Sequence, residues 1–328
     1  MFHARQRFES WLQARRSGMD FQPSDTLLTQ ATSAASAHDT EDRMGSALGC
    51  IESTLLIPLA ARALGDRLFP NMAVSDSDAA TALAGLNVEV EDFLQDHLSV
   101  YGVLARTHIL RELAQDFFNH NPRGWAVNLG CGLSSYFQWL DRGRNQWIDA
   151  DLPAVINLRE HLVPGQGQRH RDAVVDLRQP HWWRALGLPQ GPHAPAVLVM
   201  LEGVLMYLQP QQVRDVMHEF AQHAPAGSQL IFDSLSWMAV GQARLHPSIS
   251  RTQAEFLWGA RSMSDFTAND PRLRLLSEHP ILDGYDASWA CLCPLFRALW
   301  GVPLYAVIRI GLRDDPPASA LDHRPEDS

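Results

Sequence analysis

The stretch Val127-Asn128-Leu129-Gly130-Cys131-Gly132-Leu133 decides how this chain folds. An apolar run beginning at Trp125 leads into it and a helix-like run follows, so its glycines stand in a strand-to-helix turn. Gly130 and Gly132 let the backbone turn tightly and approach a ligand with no Cβ in the way. G-x-G alone is a weak sign. A dinucleotide fingerprint puts a third small residue three positions after Gly132, and Ser135 stands there, so nicotinamide binding stays open as a lesser alternative.

Outward from that turn, short apolar runs alternate with helical ones. Strands are expected over Trp125–Leu129, Gln146–Asp149, His170–Val175, Ala196–Leu201, Gln229–Asp233, Leu273–Ser277 and Leu304–Ile310. Helical stretches fall between them at Ala154–His161, His181–Leu186 and Gln211–His223, the last entered through Pro210. This alternation predicts an α/β fold, a doubly wound Rossmann-like sheet over 121–312, with its ligand beyond the carboxyl ends of the strands. Leu235–Asp270 is too long for a simple connection. Its Trp237, Met238, Phe256, Trp258, Met263 and Phe266 suggest an inserted helical lid, with ordinary packing of an inserted helix as the other reading.

Upstream, apolar residues recur at helical spacing over Ile51–Leu68, Val88–Leu98 and Leu104–Phe118, which predicts an N-terminal helical region, a cap over 49–120. Residues 1–48 read as a partly mobile extension, because Gln22–Arg43 is rich in Ser, Thr, Ala and Asp without periodicity. Residues 313–328 read as a disordered tail. The tract Cys291–Ile310 is interrupted by Pro294, Arg297, Gly301 and Pro303, and reads as a loop and a buried strand, not a membrane span.

Composition removes several functions. All 27 basic residues are arginine, so there is no Schiff-base lysine and no P-loop lysine. Acidic residues number 37 and the formal net charge is −10, without a basic stripe, which argues against a sequence-independent grip on nucleic acid. Cys50, Cys131, Cys291 and Cys293 form neither a disulfide framework nor a zinc pattern, and no metal is expected. Met1–Ser17 lacks the apolar core and cleavage site of a secretory signal, so a cytoplasmic location is expected.

Acidic residues then recur at the ends of the three strands that follow the glycine turn. Asp151 stands where a carboxylate can accept both ribose hydroxyls of a nucleoside. Asp176-Leu177 puts a carboxylate near an adenine amino group and a backbone N–H near a ring nitrogen. Glu202 follows the fourth strand, in Glu202-Gly203-Val204-Leu205-Met206-Tyr207-Leu208. Taken singly, each acid could be an exposed residue or a helix cap. In one crevice and in this order they read as a nucleoside site.

Asn128-Leu129-Gly130 with Gly132-Leu133, then Asp151-Leu152-Pro153, Asp176-Leu177-Arg178 with Trp182 behind it, Glu202-Gly203-Val204 and Tyr207-Leu208 together resemble the leucine carboxyl methyltransferase family, which includes polyketide O-methyltransferases. Arg106-Thr107 matches that family's Arg-Thr pair, and the resemblance covers roughly residues 53 to 312. It implies a class I fold binding S-adenosylmethionine. Arg106 would hold the cofactor's methionine carboxylate, Gly130 would line its methionine end, and Asp151 would take the ribose. Asp176 and Leu177 would take the adenine, Glu202 would lie near the methionine amine, and Asn128, Gly132 and Leu152 complete the cofactor-binding set. These roles suit the chemistry, since arginine forks onto carboxylates and carboxylates accept from hydroxyls and amines. One departure stands out. The family continues the glycine loop with Asp-Thr-Arg or a close variant, whereas this chain has Ser134-Ser135-Tyr136. Either Ser134 substitutes through hydroxyl contacts or the site is altered.

The resemblance implies methyl transfer to oxygen, with a carboxylate of a small, polyketide-like natural product as acceptor and a phenolic oxygen as the alternative. A carboxylate is ionised at pH 7 and needs no general base, whereas a phenol does. No histidine stands in a motif that marks it as a base, and His108 and His181 read as surface or packing residues. Tyr207 is the candidate catalytic residue, a hydroxyl that positions the acceptor. A cofactor-binding but catalytically idle regulatory or scaffold protein is a third reading. The expected partner is a small-molecule acceptor, with no nucleic acid and no membrane; a homo-oligomer stays open.

Overall fold

A computed structural model describes residues 53–313, apart from positions 87, 89, 164, 166, 253 and 269. The extension over 1–48 and the tail beyond residue 313 lie outside the described residues.

Seven strands form one sheet: β1 (Trp125–Leu129), β2 (Gln146–Asp151), β3 (His170–Val174), β4 (Val197–Leu201), β5 (Gln229–Leu235), β6 (Leu273–Pro280) and β7 (Tyr305–Leu312). Their order is β3-β2-β1-β4-β5-β7-β6, and β7 runs antiparallel to both β5 and β6 while the other pairings are parallel. The chain moves outward from β1 through β2 to β3 and then returns to place β4 on the other side of β1. That reversal opens a crevice beyond the carboxyl ends of β1 and β4.

Both faces of the sheet are covered, which is why β4 reads as the unbroken apolar run Val197–Leu201, buried throughout. Val127 and Leu129 of β1 face the core under α8 (Pro210–His223), packed with its Val213, Val216, Met217 and Phe220. Ala126 faces the opposite core, with Leu110, Leu113, Ala114 and Phe117 of α4 (His97–His120). The alternation along β1 is that of a strand with one side chain to each face.

The helical region differs in detail from its periodicity. The stretch Val88–Leu98 does not form one helix: α3 is the single turn Glu91–Leu94, and the chain starts again at His97 because Asp96 caps α4, accepting from the Ser99 N–H at 3.2 Å. Before it come α1 (Leu56–Leu64) and α2 (Ser77–Leu86). The expected loop at Cys291–Trp300 is instead helical, within α9 (Ala287–Trp300). Asp286 caps it through Ser288 and Trp289 and Gly301 ends it at φ 71°, so its caps prevail over the internal Pro294. Between β5 and β6 the insertion consists of 3₁₀ turns, Trp237–Ala239, Ala243–Leu245, Ile249–Arg251 and Met263–Phe266, rather than a long α-helix. Gly241, at φ 73°, and Pro247 interrupt any longer run. Among the described residues no helix is long and apolar enough to cross a membrane.

Candidate active site

At the crevice lies a cavity of about 660 Å³. Arg106, Gly130, Gly132, Asp151, Leu152, Asp176, Leu177, Glu202 and Tyr207 all line it; Asn128 alone of the sequence-chosen residues does not. Gly130 is at φ +67°, and a Cβ there would stand 2.4 Å from Val204 Cγ2. The loops after β1 and β4 therefore meet in the crevice with no space for a side chain at Gly130.

Two buried arginines hold the glycine loop from outside it. Arg159, on α6 (Pro153–Leu162), donates to the carbonyls of Gly132 at 2.8 Å and Ser134 at 2.7 Å, and to Asp149 Oδ2 at 2.8 Å. Arg62, on α1, reaches the Leu133 carbonyl at 3.2 Å while paired with Asp76 at 2.9 Å. Asn128 lies beneath the loop, donating to Ser134 Oγ and Asp149 Oδ1, and its own buried Oδ1 has no partner among the described residues. Burial alone would push the Asp149 carboxyl up; the Arg159 charge and the His170 contact outweigh it and hold it below the ordinary range. Asp149, His170 and Asp172 cluster closely enough to suit a metal, but the Arg159 guanidinium bonds both acids and is the cation of that cluster.

The loop departure resolves into hydroxyl contacts. Ser134 Oγ donates to the Cys131 carbonyl at 2.7 Å and accepts from Asn128. Tyr136, fully buried just before α5 (Phe137–Leu140), donates its hydroxyl hydrogen to Glu202 Oε2 at 2.8 Å. Burial and the neighbouring Glu202 charge push the Tyr136 hydroxyl well above its usual range, so it stays a donor.

Asp151 takes the Gly132 N–H on Oδ2 at 2.8 Å and the Leu152 N–H on Oδ1 at 2.7 Å, which fixes its carboxylate on the cavity wall. Asp176 receives the Arg178 backbone and guanidinium, and the latter bond lowers its pKa. Glu202 Oε1 accepts from Arg106 Nε at 3.0 Å. Arg106 Nη1 donates to Asp233 Oδ2 at 2.9 Å and to the Tyr305 hydroxyl at 2.8 Å, and Tyr305 donates onward to Asp233 at 2.7 Å. Burial opposes the Arg106 charge; Tyr305, Asp233 and Glu202 outweigh it and keep the guanidinium protonated. The Gly203 N–H completes Asp233 through Oδ1 at 2.6 Å.

The rest of the cavity lies under the insertion and the N-terminal helices. Met238 and Phe256 of the insertion line it, with Met206, Tyr207, Leu98 and Ile249. Trp258 and Phe266 pack instead into the core under α8, so for them the ordinary-packing reading holds. The Tyr207 and Phe256 rings are 5.8 Å apart at 32°. Ser99 of α4 and His246 of the insertion also line the wall, with Ser99 Oγ and His246 Nε2 3.3 Å apart. Each arginine on the wall, Arg62, Arg106 or Arg178, is bonded to an acid. His108 contacts the Met72 carbonyl, and His181 is the exposed N-cap of α7 (Trp182–Ala185).

Sequence reasoning missed Tyr136, Asp233, Tyr305, Arg159, Ser99 and His246. Asp233 carried a signal, as the next acid in the series at strand ends. Tyr305 reaches the site only because β7 pairs antiparallel with β5, opposite Leu235, and no local motif announces that pairing.

A parallel sheet reversing between β1 and β4, extended by an antiparallel seventh strand, with a glycine turn and acids beyond successive strands, defines a class I methyltransferase. The leucine carboxyl methyltransferase family matches residues 33–221, and the chain belongs to that family. S-adenosylmethionine is accordingly its cofactor. The residues present fit it: the glycine turn gives close backbone approach, carboxylates meet hydroxyls and amines, and Arg106 Nη2 takes no partner from the described residues. The chain is similar to the tetracenomycin polyketide synthesis O-methyltransferase TcmP of Streptomyces glaucescens, 28% identical over 235 residues, 71% of this chain and 84% of that one. Among solved structures, the N-methyltransferase NodS of Bradyrhizobium japonicum WM9 aligns at TM-score 0.41 and 13% identity, over 64% of this chain and 97% of that one. An O-methyltransferase family protein of Burkholderia thailandensis aligns at TM-score 0.41 and 15% identity, over 66% and 60%.

Proposed function

We propose that the protein is an O-methyltransferase that methylates a carboxylate of an apolar small molecule. S-adenosylmethionine, when bound, supplies the methyl group from its sulfonium. In this reading Asp151 accepts from the ribose, Asp176 and Leu177 meet the adenine, and Glu202 meets the methionine amine. Arg106 offers Nη2 to the methionine carboxylate. Tyr207 positions the acceptor oxygen, so that alignment and removal of water supply most of the acceleration.

The observation that carries the carboxylate reading is the state of His246, the histidine on the acceptor wall. Its Nδ1 accepts from the Ile249 N–H at 3.3 Å and its Nε2 faces Ser99 Oγ, so neither nitrogen stands ready to take a proton. An acceptor that arrives ionised needs no base. The similarity to a polyketide O-methyltransferase supports a natural-product acceptor. A phenolic acceptor is the second reading, and the position of His246 on the wall is what favours it.

Methyl-labelled cofactor separates the readings. A methyl ester releases its label as methanol in mild alkali and an aryl ether retains it. Release is expected; retention would overturn the carboxylate reading, and failure to form S-adenosylhomocysteine with extracts of its source would favour an idle binding protein.

A further inference from the structure

Ser99 and His246 meet across the cavity, one on the first turn of α4 and the other on the insertion. Behind them Asp96 accepts from Ser99 Oγ at 2.6 Å and from Ser248 Oγ at 2.7 Å. Burial pushes the Asp96 carboxyl up, but its bonds to Ser248 and Ser99 prevail and lower it, so it stays an acceptor. The Ser99 hydroxyl hydrogen is therefore committed to Asp96, and Ser99 presents only lone pairs to the cavity. The Ile249 N–H occupies His246 Nδ1, which assigns the imidazole proton to Nε2. Burial lowers the His246 pKa and favours this neutral form; Asp96 is the charged group that faces it.

We propose that Ser99 and His246 form a recognition site for a neutral hydroxyl carried by the acceptor, whose class is then a hydroxylated aromatic carboxylic acid. The inference rests on the reading that the reacting group is a carboxylate. A substrate hydroxyl donates to Ser99 Oγ and accepts from His246 Nε2–H, replacing the long 3.3 Å contact between them. The flanking Tyr207 and Phe256 rings suit a flat apolar body. Polarity sets the orientation. An anionic oxygen at Ser99 would face Asp96 one hydrogen bond away, so the reacting carboxylate is turned from this end and toward the cofactor end.

The test uses protein saturated with S-adenosylhomocysteine, with calorimetric binding of 2-naphthoic acid and each of its monohydroxy isomers. At least one isomer is expected to bind about tenfold tighter than the parent acid, the worth of two modest hydrogen bonds. Ser99→Ala and His246→Phe should bring that isomer to within about twofold of the parent while leaving S-adenosylhomocysteine affinity unchanged. His246→Gln, which retains a donor, should keep part of the preference; a purely structural tie between insertion and helix would not move with the ligand's hydroxyl. Should no isomer outbind the parent, or should the preference persist in both the Ser99→Ala and His246→Phe proteins, the site is overturned. Turnover is read separately: absence of methyl ester would overturn the reaction proposed above without touching the binding preference.

Discussion

Tyr136 donates its hydroxyl hydrogen to Glu202 Oε2 at 2.8 Å, at the position where the family pattern carries the arginine of Asp-Thr-Arg. Ser134, standing for that pattern's acid, likewise keeps a hydroxyl contact within the loop. Acid and base are both replaced, so the exchange leaves the loop's charge balance unchanged. The Tyr136–Glu202 bond joins a neutral hydroxyl to a carboxylate, with one charge in the pair.

Tyr136→Phe therefore tests whether the substituted hydroxyl supports the cofactor end. It leaves one oxygen of a mostly buried carboxylate without its donor, at a cost of about 1–3 kcal/mol in stability. Chemical denaturation should register that loss, and calorimetry should show weaker S-adenosylhomocysteine binding. Unchanged affinity in the folded variant would separate Glu202 from the cofactor.

Asp151 does two jobs that its substitutions can divide. It accepts backbone N–H groups from Gly132 and Leu152, and it stands on the cavity wall. Asp151→Ala should weaken both S-adenosylmethionine and S-adenosylhomocysteine by about 1.5–3 kcal/mol for each hydrogen bond it makes to the ribose. Asp151→Asn keeps one acceptor oxygen for the loop and should retain more stability than Asp151→Ala, with binding still impaired. Calorimetry and denaturant titration on the two variants check both halves.

The sheet was legible because its signals are local. Trp125–Leu129 is found at the expected bounds, and β2, β3 and β4 begin or end within a residue or two of expectation. The acids were legible for the same reason: each follows its own strand. The supports were not. Arg159 lies 25 residues from Ser134 along the chain, and Tyr305 lies 199 from Arg106, so only the folded sheet brings them together. The insertion misled in a different way, since its aromatic residues divide between the cavity and the core, a division that composition does not record.

Arg159→Met should be among the most damaging substitutions, because it leaves Asp149 buried without its guanidinium and frees two loop carbonyls. Breaking such a pair costs about 3–5 kcal/mol. The pH dependence has a definite sign. Asp149 in the wild type is held below its unfolded value, so its contribution is present above about pH 4 and is lost as pH falls below it. Without Arg159, burial raises the same carboxyl, and ionisation then costs stability at neutral pH. The gap between the two proteins, measured by denaturant titration, should be widest near pH 7 and narrow on acidification; a gap independent of pH would assign the damage to the loop carbonyls alone.

Arg106→Lys keeps the charge and removes the geometry. The guanidinium spans Glu202 through Nε and Asp233 with Tyr305 through Nη1, while Nη2 takes no partner from the described residues. An ammonium is a single point with three donors, and it cannot hold Glu202 after β4 and Asp233 on β5 while also meeting a ligand carboxylate. One of the buried acids then loses its partner, at a cost of about 1–3 kcal/mol. Cofactor affinity should fall further than stability alone accounts for, because the cofactor's carboxylate must now compete with Glu202 and Asp233 for one nitrogen. Truncating the ligand isolates that competition: methylthioadenosine, which lacks the amino-acid end, should bind wild type and Arg106→Lys alike, whereas S-adenosylhomocysteine should prefer the wild type. Equal discrimination by the two proteins would remove Arg106 from the methionine carboxylate and leave it as a tie between β4 and β5.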